Sequence, residues 1–219
     1  MNYSGLKIAR IAAALTMLCL LGGCTILSVV SQRTVGNPVD AKYVPKKTDS
    51  MLVLVESYGL ALDSDIESQH MTLVLRRVLN DAKIAPLVDQ QSLEQLKDLD
   101  PQKYAPMTIA DIGRRVGARQ VLYVNIWRSE IVKPAGSGQM RGHMDAVVKI
   151  VDADTGDTRW PMDAPSEDVQ ITTDWTVESQ DKTESDLRAQ MADEMAEDIG
   201  KLFHNYHTDQ EPMEKVNVD

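Results

Sequence analysis

The run Met51-Leu52-Val53-Leu54-Val55 sets five apolar residues in succession, with no polar position among them. Consecutive side chains of a strand point to opposite faces, so this segment has no face to give to water. It demands cover on both sides, which is met by a sheet with helices packed above and below it.

The residues that follow read as that cover. Met71, Leu75, Val78, Leu79 and Ala82 recur at helical spacing behind a start signal at Ser64 or Asp65. "IAPLVD", residues 84 to 89, reads as a second, short strand. Strand, helix and strand imply a parallel pair joined by a right-handed crossover. Asp89 then stands as the cap of a short helix, "QQSLEQLKDL". Further on, Thr108 and Asp111 have capping-box spacing, Ile109, Ile112 and Val116 form a stripe, and Gly117 takes the position just past a helix end. A long strand from Arg119 to about Val132, the turn "KPAGSG" and the return strand "QMRGHMDAVVKIVD" form a hairpin, and the chain reverses again at Asp154-Thr155-Gly156. Val169, Ile171, Trp175 and Val177 alternate with polar residues as in a half-buried strand. Leu187, Met191, Met195, Ile199, Leu202 and Phe203 share one face of a terminal amphipathic helix. The expected fold is a single small α/β (α+β) domain. Its mixed sheet combines a parallel strand-helix-strand unit with a long antiparallel hairpin, and helices pack on the sheet.

The N-terminus carries a different grammar. Lys7 and Arg10 precede the uncharged stretch Ile11 to Leu21 and the small pair Gly22-Gly23, the anatomy of an export signal. Leu21-Gly22-Gly23-Cys24 resembles the lipobox of bacterial lipoproteins. The resemblance implies cleavage between Gly23 and Cys24, a diacylglycerol thioether on Cys24 and an acylated amine. Several acyl chains meet the requirement of about two membrane signals for stable anchoring. An uncleaved helical anchor over Ile11 to Val30 is the other reading, weakened by Thr16, Gly22, Gly23, Thr25 and Ser28. Both readings tether the chain to a membrane. Cys19 leaves with the signal, so a mature chain whose Cys24 is lipidated has no thiol for a disulfide or a metal. Thr25 rather than Asp after the cysteine points, in a Gram-negative cell, to the outer membrane facing the periplasm.

The expected organisation is a signal over 1–23, a lipidated N-terminus and flexible linker over 24–50, an α/β domain over 51–207 and a disordered acidic tail over 208–219. Cleavage leaves 196 of 219 residues, with 21 Lys and Arg against 33 Asp and Glu, a net charge of −12. A surface this acidic repels nucleic-acid phosphate, so no nucleic-acid partner is expected.

Candidate chemistry is sparse. His204 and His207 stand near Asp209 and Glu211, short of a convergent ligand set on a chain end. "DADTGD" departs from a calcium loop because Gly156 is fifth and Asp157 sixth. "GSGQMRG" lacks the spacing of a phosphate loop. His70 and His143 stand alone. No metal, cofactor or catalytic residue is expected, and the chain reads as a non-enzyme. The alternative is a ligand-binding or hydrolytic module built from dispersed residues such as Glu56, Asp63 and His143. The expected partner surface is the hairpin, where Trp127, Arg128, Met140 and Arg141 combine residue types enriched at interfaces.

The lipobox, the strand-helix-strand unit, "GARQVLYVNI", "VKIVDADTGDTRW" and the terminal helix together resemble the domain shared by the TolB N-terminal domain, CsgG and LpoB. The resemblance implies an envelope accessory lipoprotein that acts through contact with an envelope protein or by self-association. A CsgG-type pore is not expected, because Arg128, Glu130, Lys133, Arg141, His143 and Asp145 occupy the hairpin. Replacing Cys24 by Ala should leave the precursor uncleaved, as mass spectrometry of the membrane-derived protein would reveal. Cleavage at any other position would refute the lipobox reading.

Overall fold

The computed structural model describes residues 36–57, 64–99, 101–162, 169–178 and 182–208, which fall into two units, 41–204 and a smaller one of 36–40 with 205–208. The signal, Gly23, Cys24 and the tail from 209 lie outside the described residues. The smaller unit is a two-residue antiparallel ladder of β1 (Pro38–Val39) with β7 (Tyr206–His207).

The larger unit is organised around β2 (Met51–Glu56), which is buried from Met51 through Val55. Met51, Val53 and Val55 join one apolar cluster, Leu52 and Leu54 the other, so the strand is covered on both faces. β2 runs parallel to β3 (Gln120–Val132), which is antiparallel to β4 (Gln139–Asp152). Two strands share the far edge of β4 end to end. β5 (Thr158–Trp160) pairs at Ile150 and Val151, and β6 (Val169–Glu178) pairs along 139–148.

Five helices among the described residues pack on this mixed sheet: α1 (Ser64–Asp81), α2 (Gln90–Leu99), α3 (Pro101–Tyr104), α4 (Ile109–Arg115) and α5 (Glu184–Lys201). The α/β domain with a parallel unit and a long hairpin is the architecture the patterning predicts. The first face is covered by α1 and α5, which bring Met71, Leu75 and Leu79, then Leu187, Met191, Met195 and Ile199, against Met140, Met144, Ala146, Val148 and Ile150 of β4. Gly142 permits the close approach of α5, since a Cβ there would overlap the Met191 thioether. The second face carries Leu93 of α2 and Ile112 of α4 against Leu52, Leu54, Val121, Tyr123 and Ala153. That second cluster includes nothing of β3 beyond Tyr123, so the distal hairpin lacks this cover.

Local signals act as their chemistry requires. Thr108 Oγ1 accepts from Asp111 N at 3.1 Å and the Asp111 carboxylate accepts from Thr108 N, closing the capping box. Gly117 adopts φ +78° after α4, a region that costs other residues a steric penalty. A second box, Thr183 with Asp186, starts α5.

Three expectations change. The strand over 84–89 reduces to one parallel bridge between Met51 and Leu87, because Pro86 has no N–H to extend a ladder. β5 is an additional strand, only three residues long. Residues 41–50, expected as the end of a linker, belong to the larger unit, which runs over 41–204 rather than 51–207. Lys42 and Tyr43 donate backbone N–H groups to Leu202 O. Asp49 is buried and accepts from Arg159 Nη1 at 2.8 Å, while the fully buried Gln120 amide donates to Lys46 O and Asp49 O. Arg159 also holds Asp152 at 2.8 Å, and its hydrogen bond keeps the Asp49 carboxyl below the ordinary aspartate range.

A bulge in β3 decides which way the distal hairpin faces. Leu122, Val124 and Ile126 point to the α1–α5 face, and Ile126 pairs with Ala146. Arg128, two residues on, pairs with Asp145, so Trp127 is the extra residue. Parity inverts there: Ile131 packs against the core, while Arg128, Glu130 and Val132 share the face of Arg141, His143 and Asp145. Deleting Ser129, a regularly paired residue beyond the bulge, should turn Glu130 toward the apolar core and Ile131 away from it, at a cost of several kcal/mol. Trp127→Ala, at a side chain 43% exposed, should cost about 1 kcal/mol. Thermal melts of the two variants test this, and similar midpoints would refute the parity account.

Candidate functional site

Past the second helical layer, one open face of the sheet is built from alternate residues of three strands. The register aligns them in rows across β3, β4 and β6: Val132–Arg141–Thr176, Glu130–His143–Asp174 and Arg128–Asp145–Thr172. A face left to water must be polar, and here all but Val132 are polar or charged. Asp145 is the buried member, at 3% exposure. Its carboxylate accepts from Thr172 Oγ1 at 2.6 Å and from His143 Nε2 at 2.9 Å, with Arg128 Nη1 at 3.9 Å.

His143 is held from both sides. Its Nδ1 lies 2.6 Å from the Asp174 carboxylate and its Nε2 faces Asp145. Both neighbours are acceptors, so both ring nitrogens donate, which is the imidazolium form. The hydrogen bonds to Asp174 and then to Asp145 raise the His143 pKa above its ordinary value. Arg128 forms a second pair with Glu130 at 2.9 Å and pulls that carboxyl below its usual range. With both nitrogens engaged by carboxylates, His143 has no free lone pair with which to act as a general base. The arrangement binds β4 to β6 and presents charge.

Of the four expected surface residues, three lie at or beside this face. Trp127 is exposed on the bulge, Arg128 is partly buried in its ion pairs, and Arg141 is exposed with no ion pair among the described residues. Met140 does not belong with them: it is 2% exposed and sits in the α5 core. Its strand parity is that of Gly142 and Met144, opposite to Arg141, which sequence adjacency conceals.

The alternative set does not assemble. Glu56, at the end of β2, lines a cleft of about 660 Å³ with Ser57, Ser68, Thr72, Lys97 and Tyr104, whereas His143 lies outside that lining and Asp63 falls outside the described residues. His70 instead links α1 to α5 through Asp193 at 2.8 Å. His204 Nδ1 meets Gly200 O at 2.9 Å, His207 is in β7, and Asp209 and Glu211 lie outside the described residues. Among the described residues no group of three or more His, Cys, Asp and Glu is placed to hold a metal ion, and no helix is long and apolar enough to cross a membrane. In the Asp154-Thr155-Gly156 reversal, Asp152 Oδ1 accepts from Asp154 N and Thr155 N while Gly156 takes φ +82°.

Thr172 and Asp174 were not among the expected site residues. Their alternation with Ile171 places them on the polar face of β6, but only the β4–β6 register brings them to Asp145 and His143.

No protein family matches the chain, and no curated protein sequence matches it. Among solved structures, the chain is similar to lipoprotein GNA1162 of Neisseria meningitidis, at 14% identity and TM-score 0.45, over 70% of this chain and 99% of that one. It is similar to PelC of Paraburkholderia phytofirmans, solved as a dodecamer, at 12% identity and TM-score 0.38, over 74% and 93%. It is also similar to the protein CT253 of Chlamydia trachomatis, at 8% identity and TM-score 0.38, over 71% and 97%. At these values the likeness assigns no function.

The raised His143 pKa fixes the sign of a pH effect. A group whose folded pKa exceeds its unfolded value of about 6.5 stabilises fully below that value and loses the contribution as pH rises through the folded pKa. The melting temperature of the wild type relative to His143→Gln should therefore be highest near about pH 6 and fall toward about pH 8.5. Parallel curves for the two proteins would show that the contact carries no such linkage.

Proposed function

We propose that this chain is a lipid-anchored protein of the cell envelope, held through Cys24 in the outer membrane and facing the periplasm in a Gram-negative cell. It acts as a non-enzymatic accessory or scaffold, and the open hairpin face meets an envelope protein or a second copy of the chain. One observation carries the reading. Among the described residues the second helical layer stops short of the distal hairpin, which carries the exposed Trp127 at its bulge, Arg128 next to it and, opposite Val132, an Arg141 with no ion pair. Aromatic residues and arginine are the types enriched where proteins bind one another. The sequence resemblance to the TolB N-terminal, CsgG and LpoB group supports the same reading, as does the engagement of both His143 nitrogens by carboxylates.

Photocrosslinkers placed at Trp127 and Arg141 in intact cells should give discrete adducts, while one at the exposed Arg77 of α1 should not. Arg141→Glu should reduce the Trp127 adduct with a change in stability of no more than about 0.5 kcal/mol, because that side chain is exposed and has no ion pair among the described residues. Adducts from Arg77 alone would place the contact surface elsewhere.

A further inference from the structure

The cleft beside Glu56 is independent of the docking face and has the composition of a binding site. It opens at the carboxyl end of β2, one strand of the parallel pair, the end at which open α/β sheets bind ligands. Its volume of about 660 Å³ is in the range of small-molecule sites. Three charged residues line it: Glu94 is exposed and accepts from Gln90 Nε2, while Glu56 and Lys97 form no ion pair with each other. Glu56 follows Leu52 and Leu54 on the same strand face and is half-buried, with the Tyr104 hydroxyl at 3.5 Å and no cation in ion-pair contact among the described residues. Lys97 is half-buried too, its ammonium 5.8 Å from the Tyr104 ring centroid, and it likewise has no ion pair among the described residues. Partly buried charges are ordinarily paired, so an anion and a cation left apart in one cleft are complementary to a ligand bearing both charges. The lining also holds Gln90, whose Oε1 is buried with no hydrogen-bond partner among the described residues, an acceptor available to an N–H. Val55, Leu93 and the exposed Leu73 add apolar wall.

We infer that this cleft binds a zwitterion of the amino-acid or short-peptide class, with Glu56 receiving the ammonium, Lys97 the carboxylate and the apolar wall a side chain. The two charged residues act at opposite ends of the ligand, so each has its own chemical signature.

Calorimetric titration of the full-length protein in detergent tests the assignment with leucine, Leu-Leu, N-acetyl-Leu-Leu and Leu-Leu amide. Leu-Leu or leucine should bind, and whichever is tighter sets the size of the ligand. The acetylated and amidated peptides should each bind at least about tenfold more weakly than Leu-Leu, the loss expected for one charge-assisted contact. In Glu56→Gln the preference for a free amine over the acetylated peptide should vanish, with the preference for a free carboxylate retained. Lys97→Met should do the reverse. Both variants should stay folded, with melting temperatures close to the wild type, because among the described residues neither side chain has an ion pair to lose. Absence of binding by both zwitterions at millimolar concentration, or unchanged selectivity in both variants, would overturn the assignment.

Discussion

The burial of β2 on both faces governs the rest of the domain. A strand with Met51, Val53 and Val55 on one side and Leu52 and Leu54 on the other has to sit inside the sheet, under two layers. The long helices α1 and α5 form the first layer. The second layer is made of shorter pieces, α2 and α4, which reach only as far as Tyr123. Among the described residues no helix of that layer reaches the distal half of β3, β4 and β6, where the rows are polar or charged apart from Val132. The open polar face is thus the remainder of a covering problem set by β2.

The buried polar cluster around Arg159 has the complementary role of fastening chain segments that apolar contact alone would leave loose. Arg159 joins Asp152 at the end of β4 to Asp49 in the segment before β2, and Gln120 at the start of β3 bonds the same segment through two carbonyls. Four separate stretches of chain converge on one guanidinium and one amide. Removing one partner of such a cluster strands the others in a poorly hydrated place, which costs more than the contact contributes when whole.

What could be read from the sequence was what depends on neighbours along the chain. The Thr108–Asp111 box, Gly117, the α5 stripe and the two long hairpin strands are each encoded within a few residues of where they act. The misplaced or missed features depend on pairing between distant segments. Ile126 and Trp127 are both apolar, so the bulge leaves no break in the pattern, and without the bulge the side taken by Arg128 cannot be assigned. Met140 next to Arg141 looks like surface until strand parity is imposed. Residues 41–50, with Pro45 and three lysines, have the composition of a linker, and the remote Arg159 and Gln120 give Asp49 and its neighbours a reason to be ordered. The site suffered most because it is made of cross-strand rows, and a row has no one-dimensional signature.

The core described above is rich in thioether. Met51, Met71, Met140, Met144, Met191 and Met195 are all essentially inaccessible, and the Met191 sulfur occupies the space that Gly142 leaves open. Unbranched side chains of this kind fill irregular gaps between sheet and helix without demanding a single rotamer. The same chemistry makes the interior a recorder of oxidative history. Sulfoxide formation converts an apolar side chain into a polar one, and it requires the sulfur to be reached. While the domain stays closed the six sulfurs are shielded; each opening that admits a peroxide leaves a polar oxygen that opposes reclosure. In an oxidising compartment the lifetime of the fold is then set by how often it opens as well as by its equilibrium stability.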